Sequence, residues 1–328
     1  MTKDIRWGIL ATGWIAELFV KDLLLTGHQV TAVGSRSQAK ADQFASQFGI
    51  ATAHGSYEAL AADPNVDIIY IATPHPHHVA TAKLALNAGK HILVEKPFTL
   101  NAIEAAEIVD LAQSKGLVAL EAMWTRFLPH MLRLRAIIAA GTIGDIRSVT
   151  ADHRQSLPAD PAHRLNDLAL GGGALLDLGI YPISFTWDIL GKPQAIHAAA
   201  SFRETGADAQ VATVFHYYNG AMATTLSSSD SAGPNRAAVV GTKGRIEIDR
   251  VWYAPTSFRV YDNDNKVIDQ FDGAVEGRGM QFQADEAERL IAAGLTSGTI
   301  LPPSETVAIM ATLDEIRGQI GLRYPQEG

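Results

Sequence analysis

The chain has no cysteine among its 328 residues. Disulfides, thiolate chemistry and cysteine-ligated metal sites are therefore excluded. Basic charge is also scarce: 27 Lys and Arg stand against 35 Asp and Glu, a formal net charge of −8. A general nucleic-acid binder needs a basic face, so that class is set aside. No apolar run reads as long enough to span a membrane. The opening Met1-Thr2-Lys3-Asp4-Ile5-Arg6 enters a strand pattern with no apolar signal-peptide core. A cytosolic protein with neither a nucleic-acid nor a membrane partner is expected. What is present is 47% hydrophobic and 19% charged residues, the balance of an ordinary globular enzyme. The length exceeds one typical core, so two domains are expected.

The clearest signal is Glu95-Lys96-Pro97. It closes the apolar run His91-Ile92-Leu93-Val94, which reads as a buried parallel strand, and a helical stretch begins near Asn101. A Glu-Lys pair at the carboxyl end of such a strand is costly unless something uses it, because ligand crevices of open α/β sheets lie there. Residues 5–10 read as another strand, followed by Ala11-Thr12-Gly13-Trp14-Ile15-Ala16 and a helix through Leu25. That is the layout of a dinucleotide fingerprint, with Ala11 where the first glycine belongs. Gly13 keeps the position that lets backbone approach a diphosphate, and Ala16 the small residue at the third. The helix start would offer N–H groups to phosphate.

A second strand, Gln29–Gly34, ends in Ser35-Arg36-Ser37. An NAD site usually places a carboxylate there for the ribose 2′-OH. Here a guanidinium and hydroxyls suit a 2′-phosphate, unless Arg36 is plain surface. Residues 67–72 form the next strand, ending in Thr73-Pro74-His75-Pro76-His77-His78. The prolines and the lack of a spaced acidic or Cys partner argue against metal; contact of this loop with a cofactor fits better. Residues 116–122 read as one more strand. The β-α-β-α order predicts a doubly wound parallel sheet with right-handed crossovers.

Near residue 123 the rhythm changes. A helix is expected over 129–140, then strands at 146–152, 195–203, 209–217, 220–228, 236–241, 244–248 and 257–261. Their short turns suggest an open, largely antiparallel sheet. A helix over 173–190 interrupts them, opened by Gly171-Gly172-Gly173. Asp177 and Tyr181, four apart on it, share a face; a core tyrosine in a helix packed on the sheet is the plain alternative. The last helix spans 303–320. The expected domains are 1–122, dinucleotide-binding, and 123–328, for substrate binding and oligomerisation. A helix on only one sheet face leaves an apolar face to bury, which predicts a homodimer or a dimer of dimers.

Together these segments resemble the glucose-fructose oxidoreductase / inositol dehydrogenase / rhizopine-catabolism (Gfo/Idh/MocA) family over nearly the whole chain. The likeness rests on Gly8 to Ala16, Ala72-Thr73-Pro74-His75, Glu95-Lys96-Pro97, Glu121-Ala122-Met123-Trp124-Thr125-Arg126-Phe127, Gly171 to Tyr181, Gly241-Thr242-Lys243-Gly244 and Gly321-Leu322-Arg323-Tyr324-Pro325. Many members carry His at the place of Tyr181. The Tyr form with the Glu-Ala-Met-Trp-Thr-Arg run is most similar to the dihydrodiol dehydrogenase and NADP-dependent D-xylose dehydrogenase branch. The resemblance implies a Rossmann domain followed by an α/β domain with an open sheet. It implies hydride transfer between nicotinamide, as NADP or NAD, and a hydroxyl-bearing carbon of a sugar, polyol or dihydrodiol. It makes Tyr181 the acid/base, Lys96 its neighbour by the nicotinamide ribose, and Asp177 a substrate or orienting contact. Ala11, Thr12, Gly13, Trp14, Ile15, Ser35, Arg36, Ser37, Thr73, His75, His78, Glu95 and Lys96 fall to the cofactor, with Trp124 and Arg126 lining its other side. No metal is needed. Whether His153, Arg154 and His163 face the pocket stays open. A nicotinamide-binding regulator without catalysis and an NAD-dependent glycosidase are the competing readings.

Overall fold

The computed structural model describes residues 4–327. The first eleven elements alternate: β1 (Arg6–Leu10), α1 (Trp14–Leu25), β2 (Gln29–Gly34), α2 (Gln38–Phe48), β3 (Thr52–His54), α3 (Tyr57–Ala62), β4 (Ile68–Ile71), α4 (His78–Asn87), β5 (His91–Glu95), α5 (Ala102–Ser114) and β6 (Ala119–Ala122). The strands form one parallel sheet in the order β3-β2-β1-β4-β5-β6. Ile68, Ile69, Tyr70, Ile71, Ile92, Leu93 and Val94 have no exposed surface. Strands covered on both faces read as unbroken apolar runs, which is why these were visible in sequence. The order reverses between β1 and β4, so the ligand crevice of this sheet opens at their carboxyl ends. Local signals set the helix starts. Asn101 Oδ1 accepts from Glu104 N at 3.0 Å, while Glu104 Oε2 accepts from Leu100 N at 3.1 Å, a reciprocal cap that holds α5 directly behind Glu95-Lys96-Pro97.

The remaining elements are α6 (Pro129–Ala139), β7 (Ile146–Arg154), α7 (Ile180–Leu190), β8 (Ala195–Phe202), β9 (Asp208–His216), β10 (Met222–Ser228), β11 (Ala237–Gly241), β12 (Gly244–Ile248), β13 (Phe258–Asp262), β14 (Val267–Phe271), α8 (Gln281–Ala292) and α9 (Pro303–Ile320). Strands β7–β14 form one sheet in the order β14-β13-β12-β11-β7-β10-β9-β8. Only β7 and β10 pair in parallel; every other neighbour is antiparallel. Side chains alternate across it: Val149, Ala151 and His153 of β7 are buried, as are Ala223, Thr225 and Ser227 of β10. Helix α7 packs on β7 and β10.

Three expectations need correcting. The boundary at 122/123 treated the domains as consecutive. Residues 1–124 and 276–307 form one compact unit, and 125–275 with 308–328 the other. The returning segment is held polar group by polar group. Trp7 Nε1 donates to Glu288 Oε1 at 2.8 Å, and Asp22 accepts from the backbone N–H of Arg278 and Met280 at 2.9 and 2.8 Å. Second, Leu168–Leu190 is long and apolar enough to cross a membrane by length and composition, contrary to the sequence reading. Its apolarity serves the core, since 83% of the window is buried inside the protein. Third, the uncovered sheet face is less apolar than expected. Thr150, Thr224 and Ala238 line it beside Leu226 and Glu247, around a depression of about 410 Å³.

Candidate active site

At the carboxyl end of β1 the chain turns through Ala11, whose φ is +84°. The left-handed region costs a non-glycine residue roughly 1–2 kcal/mol, and this is the position where the fingerprint has glycine. The turn is held by Ala11 N–H donating to Gly34 O at 2.9 Å. Gly13 is the residue before α1 and gives it no side-chain cap. Among the described residues, a Cβ placed on Gly13 meets nothing within 4 Å. Open space therefore faces a helix start whose first N–H groups favour an anion. Trp14, the first helical residue, is 66% exposed.

At the end of β2, Ser35 N–H donates to His54 O at 3.0 Å and Ser35 Oγ accepts from Ser37 N–H at 3.3 Å. This fixes the turn and leaves Arg36 exposed. Its guanidinium lies beside Tyr57: burial pushes that phenol up, and the arginine pulls against it. After β4, Thr73 and His75 are buried, and Thr73 Oγ1 has no hydrogen-bond partner among the described residues. A buried hydroxyl without a partner is costly, and at the edge of the crevice it suits a bound ligand. After β5, Glu95 is buried and accepts a hydrogen bond from the Tyr70 phenol; its other oxygen accepts from Lys96 N–H at 3.2 Å. Lys96 is half-buried at the strand's end. These features fit a dinucleotide: an uncapped helix start, a cradle without Cβ, an unpaired hydroxyl and no carboxylate after β2.

The second unit carries Asp177 and Tyr181. They do not lie on one continuous α-helix: Leu175–Gly179 is a π-turn leading into α7, a wide turn frequent at functional sites. Its entry is built by glycine. Gly173 has φ +132°, and a Cβ there would lie 1.9 Å from Asp208 Oδ1. Asp208 Oδ2 accepts from Leu175 N–H at 2.6 Å, and burial pushes this carboxyl up to about 6. Asp177 is 8% exposed and pairs with Arg164 at 3.4 Å. Tyr181 is 7% exposed. The His153 ring meets it edge-on at 4.8 Å and stacks on Tyr253 at 3.7 Å.

Residues 5–122 match the oxidoreductase family with an NAD-binding Rossmann fold, and residues 131–247 the GFO/IDH/MocA C-terminal domain. The chain belongs to the GFO/IDH/MocA oxidoreductase family. It is 39% identical to trans-1,2-dihydrobenzene-1,2-diol dehydrogenase of Mus musculus, over 98% of this chain and 99% of that one. It is 36% identical to D-xylose 1-dehydrogenase (NADP(+)) of Hypocrea jecorina, over 98% and 93%. Among solved structures, a 3-ketoreductase from Actinomadura kijaniata in complex with NADP and TDP-benzene superposes with a TM-score of 0.85 at 25% identity, covering 96% of this chain and 98% of that one. Aldose-aldose oxidoreductase from Caulobacter crescentus shares the fold, with a TM-score of 0.86 at 24% identity over 96% and 97%.

Within this GFO/IDH/MocA chain two of the expected cofactor residues are placed otherwise. His78 has no exposed surface; Nε2 lies 2.8 Å from Thr73 O and Nδ1 2.9 Å from Pro97 O. Its ring ties the loop after β4 to the loop after β5 and offers nothing to a ligand. Burial lowers its pKa. Arg126 is 1% exposed and pairs with Asp188 at 2.6 Å, while Arg135 takes the other Asp188 oxygen at 2.7 Å. Its charge is engaged in the core of the second unit rather than along a cofactor face. Of the three residues left open, His153 joins Tyr181. Arg154 pairs with Asp152 at 3.1 Å, and His163 Nδ1 accepts from Leu165 N–H at 3.4 Å within its own turn. Sequence reasoning missed Arg164 and Tyr253. The Trp252-Tyr253 pair after β12 was the one available signal. Among the described residues, no group of three His, Asp or Glu side chains could hold a metal ion.

Proposed function

We propose that this chain is an NADP-dependent dehydrogenase acting on a hydroxyl-bearing carbon of a sugar, polyol or dihydrodiol. The observation that carries the reading is the exposed Arg36 flanked by Ser35 and Ser37, with no carboxylate, at the end of β2. Full-length likeness to a dihydrodiol dehydrogenase and to an NADP-dependent xylose dehydrogenase supports it. Bound nicotinamide would supply the hydride acceptor or donor. Gly13 and the first turn of α1 receive the diphosphate, and Ser35, Arg36 and Ser37 the 2′-phosphate. Tyr181 takes the hydroxyl proton in oxidation and returns it in reduction. Free tyrosine has a pKa near 10, and a lysine ammonium favours the phenolate; that is the role given to Lys96. Asp177 holds a substrate hydroxyl, and Thr73 Oγ1, His75 and Lys96 line the cofactor. We place the protein in the cytosol, which fractionation of the source cells checks.

Arg36→Ala is expected to raise KM for NADP by about ten-fold or more, the loss of a charge-assisted contact, and to leave KM for NAD nearly unchanged. Absorbance at 340 nm with a panel of aldoses, polyols and dihydrodiols measures both. Wild type that turns over NAD as efficiently as NADP overturns the preference. NADPH binding without turnover of any panel member leaves the non-catalytic regulator in its place.

We further propose a homodimer or dimer of dimers through the uncovered sheet face, where Met222 is 42% exposed beside Thr224 and Leu226. Light scattering is expected to return at least twice the chain's 35.2 kDa. A monomer mass at all concentrations excludes it.

A further inference from the structure

The Arg278 guanidinium lies 5.7 Å from the centre of the Trp14 ring and 5.3 Å from that of Trp124. All three residues belong to the first unit. Trp14 begins α1 just beyond the carboxyl end of β1, and Trp124 follows β6. In the sheet order β4 and β5 stand between those two strands. The span is three strand spacings, about 14 Å. An arginine that contacts both indoles is bracketed by the segments that follow β1 and β6, on the side of the sheet where Thr73 and Lys96 follow β4 and β5. This is the crevice of the dinucleotide sheet.

The strap that carries Arg278 is fastened where it serves this position. Asp22, on α1 and 4% exposed, accepts from Arg278 N–H at 2.9 Å and Met280 N–H at 2.8 Å. Gly277 precedes with φ +70°, and a Cβ there would lie 2.5 Å from Asp22 Oδ1. The backbone is thus pinned to the same helix whose uncapped start awaits an anion, while the Arg278 side chain stays exposed. Indoles on both sides orient the planar guanidinium by cation–π contact without neutralising it. A cation held in this way, next to a Trp14 that is 66% exposed, is poised for a ligand anion.

We propose that Arg278 is a cofactor-binding residue that closes over the dinucleotide diphosphate, opposite the N–H groups of α1. The inference rests on the proposed function and adds to it a second cation, with a different task from Arg36. Arg36 tells NADP from NAD; Arg278 binds what the two share.

The test is equilibrium binding to the intact protein: fluorescence titration of NADPH and NADH, and calorimetry with ADP-ribose. Arg278→Ala is expected to raise Kd for all three by a similar factor, about ten- to a hundred-fold, the loss of a charge-assisted contact. Arg278→Lys keeps the charge without the planar fork and is expected to fall between. The variant keeps both backbone bonds to Asp22, so its Tm should match wild type. Unchanged Kd values overturn the inference. So does a loss confined to NADPH, which would mean a 2′-phosphate contact. A loss that spares ADP-ribose overturns it as well, since Arg278 would then touch nicotinamide. Failure of wild type to bind any dinucleotide is a separate result; it removes the proposed function and this inference with it.

Discussion

Tyr181→Phe is expected to lower kcat by about two to four decades, the usual worth of a positioned general acid or base. The geometry makes the experiment clean. Phenylalanine keeps the ring that meets His153 at 4.8 Å and Tyr253 at 5.5 Å, so the packing survives and only the hydroxyl goes. Tm and NADPH affinity should therefore stay near wild type. Lys96→Met is expected to lower the rate too and to move the pH–rate profile of oxidation upward, because loss of an ammonium disfavours the phenolate. Asp177→Asn acts chiefly through substrate KM if Asp177 only holds substrate. A Tyr181→Phe enzyme that retains more than about half its kcat sinks the assignment. In that case Tyr181 is a core side chain on α7.

Asp188→Ala is expected to cost about 3–5 kcal/mol of unfolding free energy, the range for removing one partner of a buried ion pair. Its carboxylate faces Arg126 at 2.6 Å and Arg135 at 2.7 Å. Arg135 in turn donates from Nη2 to the carbonyl of Arg126 at 2.8 Å. Removing Asp188 takes away the carboxylate that two guanidinium groups share, one of them 1% exposed. Urea denaturation measures the loss. A change below about 1 kcal/mol would show that water or another acceptor reaches Arg126. Replacing the pair together, Arg126→Met with Asp188→Leu, should recover much of the stability, because apolar replacements of similar volume are often neutral.

Elements with strong one-dimensional patterns were legible. Gln29–Gly34 and Gly244–Ile248 carry β-branched residues between turn signals, and their bounds agree with the structure. Thr52–His54 is three residues long and has no run to read. Val267–Phe271 is an edge strand, its residues half-buried to exposed, so no burial pattern marks it. Gln281–Ala292 mixes charge and apolar residues and follows a glycine-rich loop, which hid a helix that completes the first unit. In the candidate site, Gly13, Arg36, Thr73 and Lys96 were legible as candidates because each follows the end of a strand of the parallel sheet. His78 was misplaced by one step of loop geometry: it begins α4 and points inward to two carbonyls. Arg126 sits in a motif whose partner, Asp188, lies far along the chain, and a pairing of that kind leaves no local trace. Tyr253 reaches Tyr181 through a turn after β12 and has no periodicity to announce it.

The interleaved first unit also bears on the order in which the protein can be made. Domains generally fold as units, earliest first, while the chain leaves the ribosome. Here the buried indole of Trp7 and ring of His28 both take Glu288 as acceptor, at 2.8 and 2.6 Å. Strands β1 to β6 are synthesised long before that carboxylate exists. At 5–20 residues per second the delay is on the order of tens of seconds. By its end, the sheet of the second unit, β7 to β14, is complete in sequence while the first unit still lacks its closing segment. The part of the enzyme translated first is the part that must wait longest to be sealed.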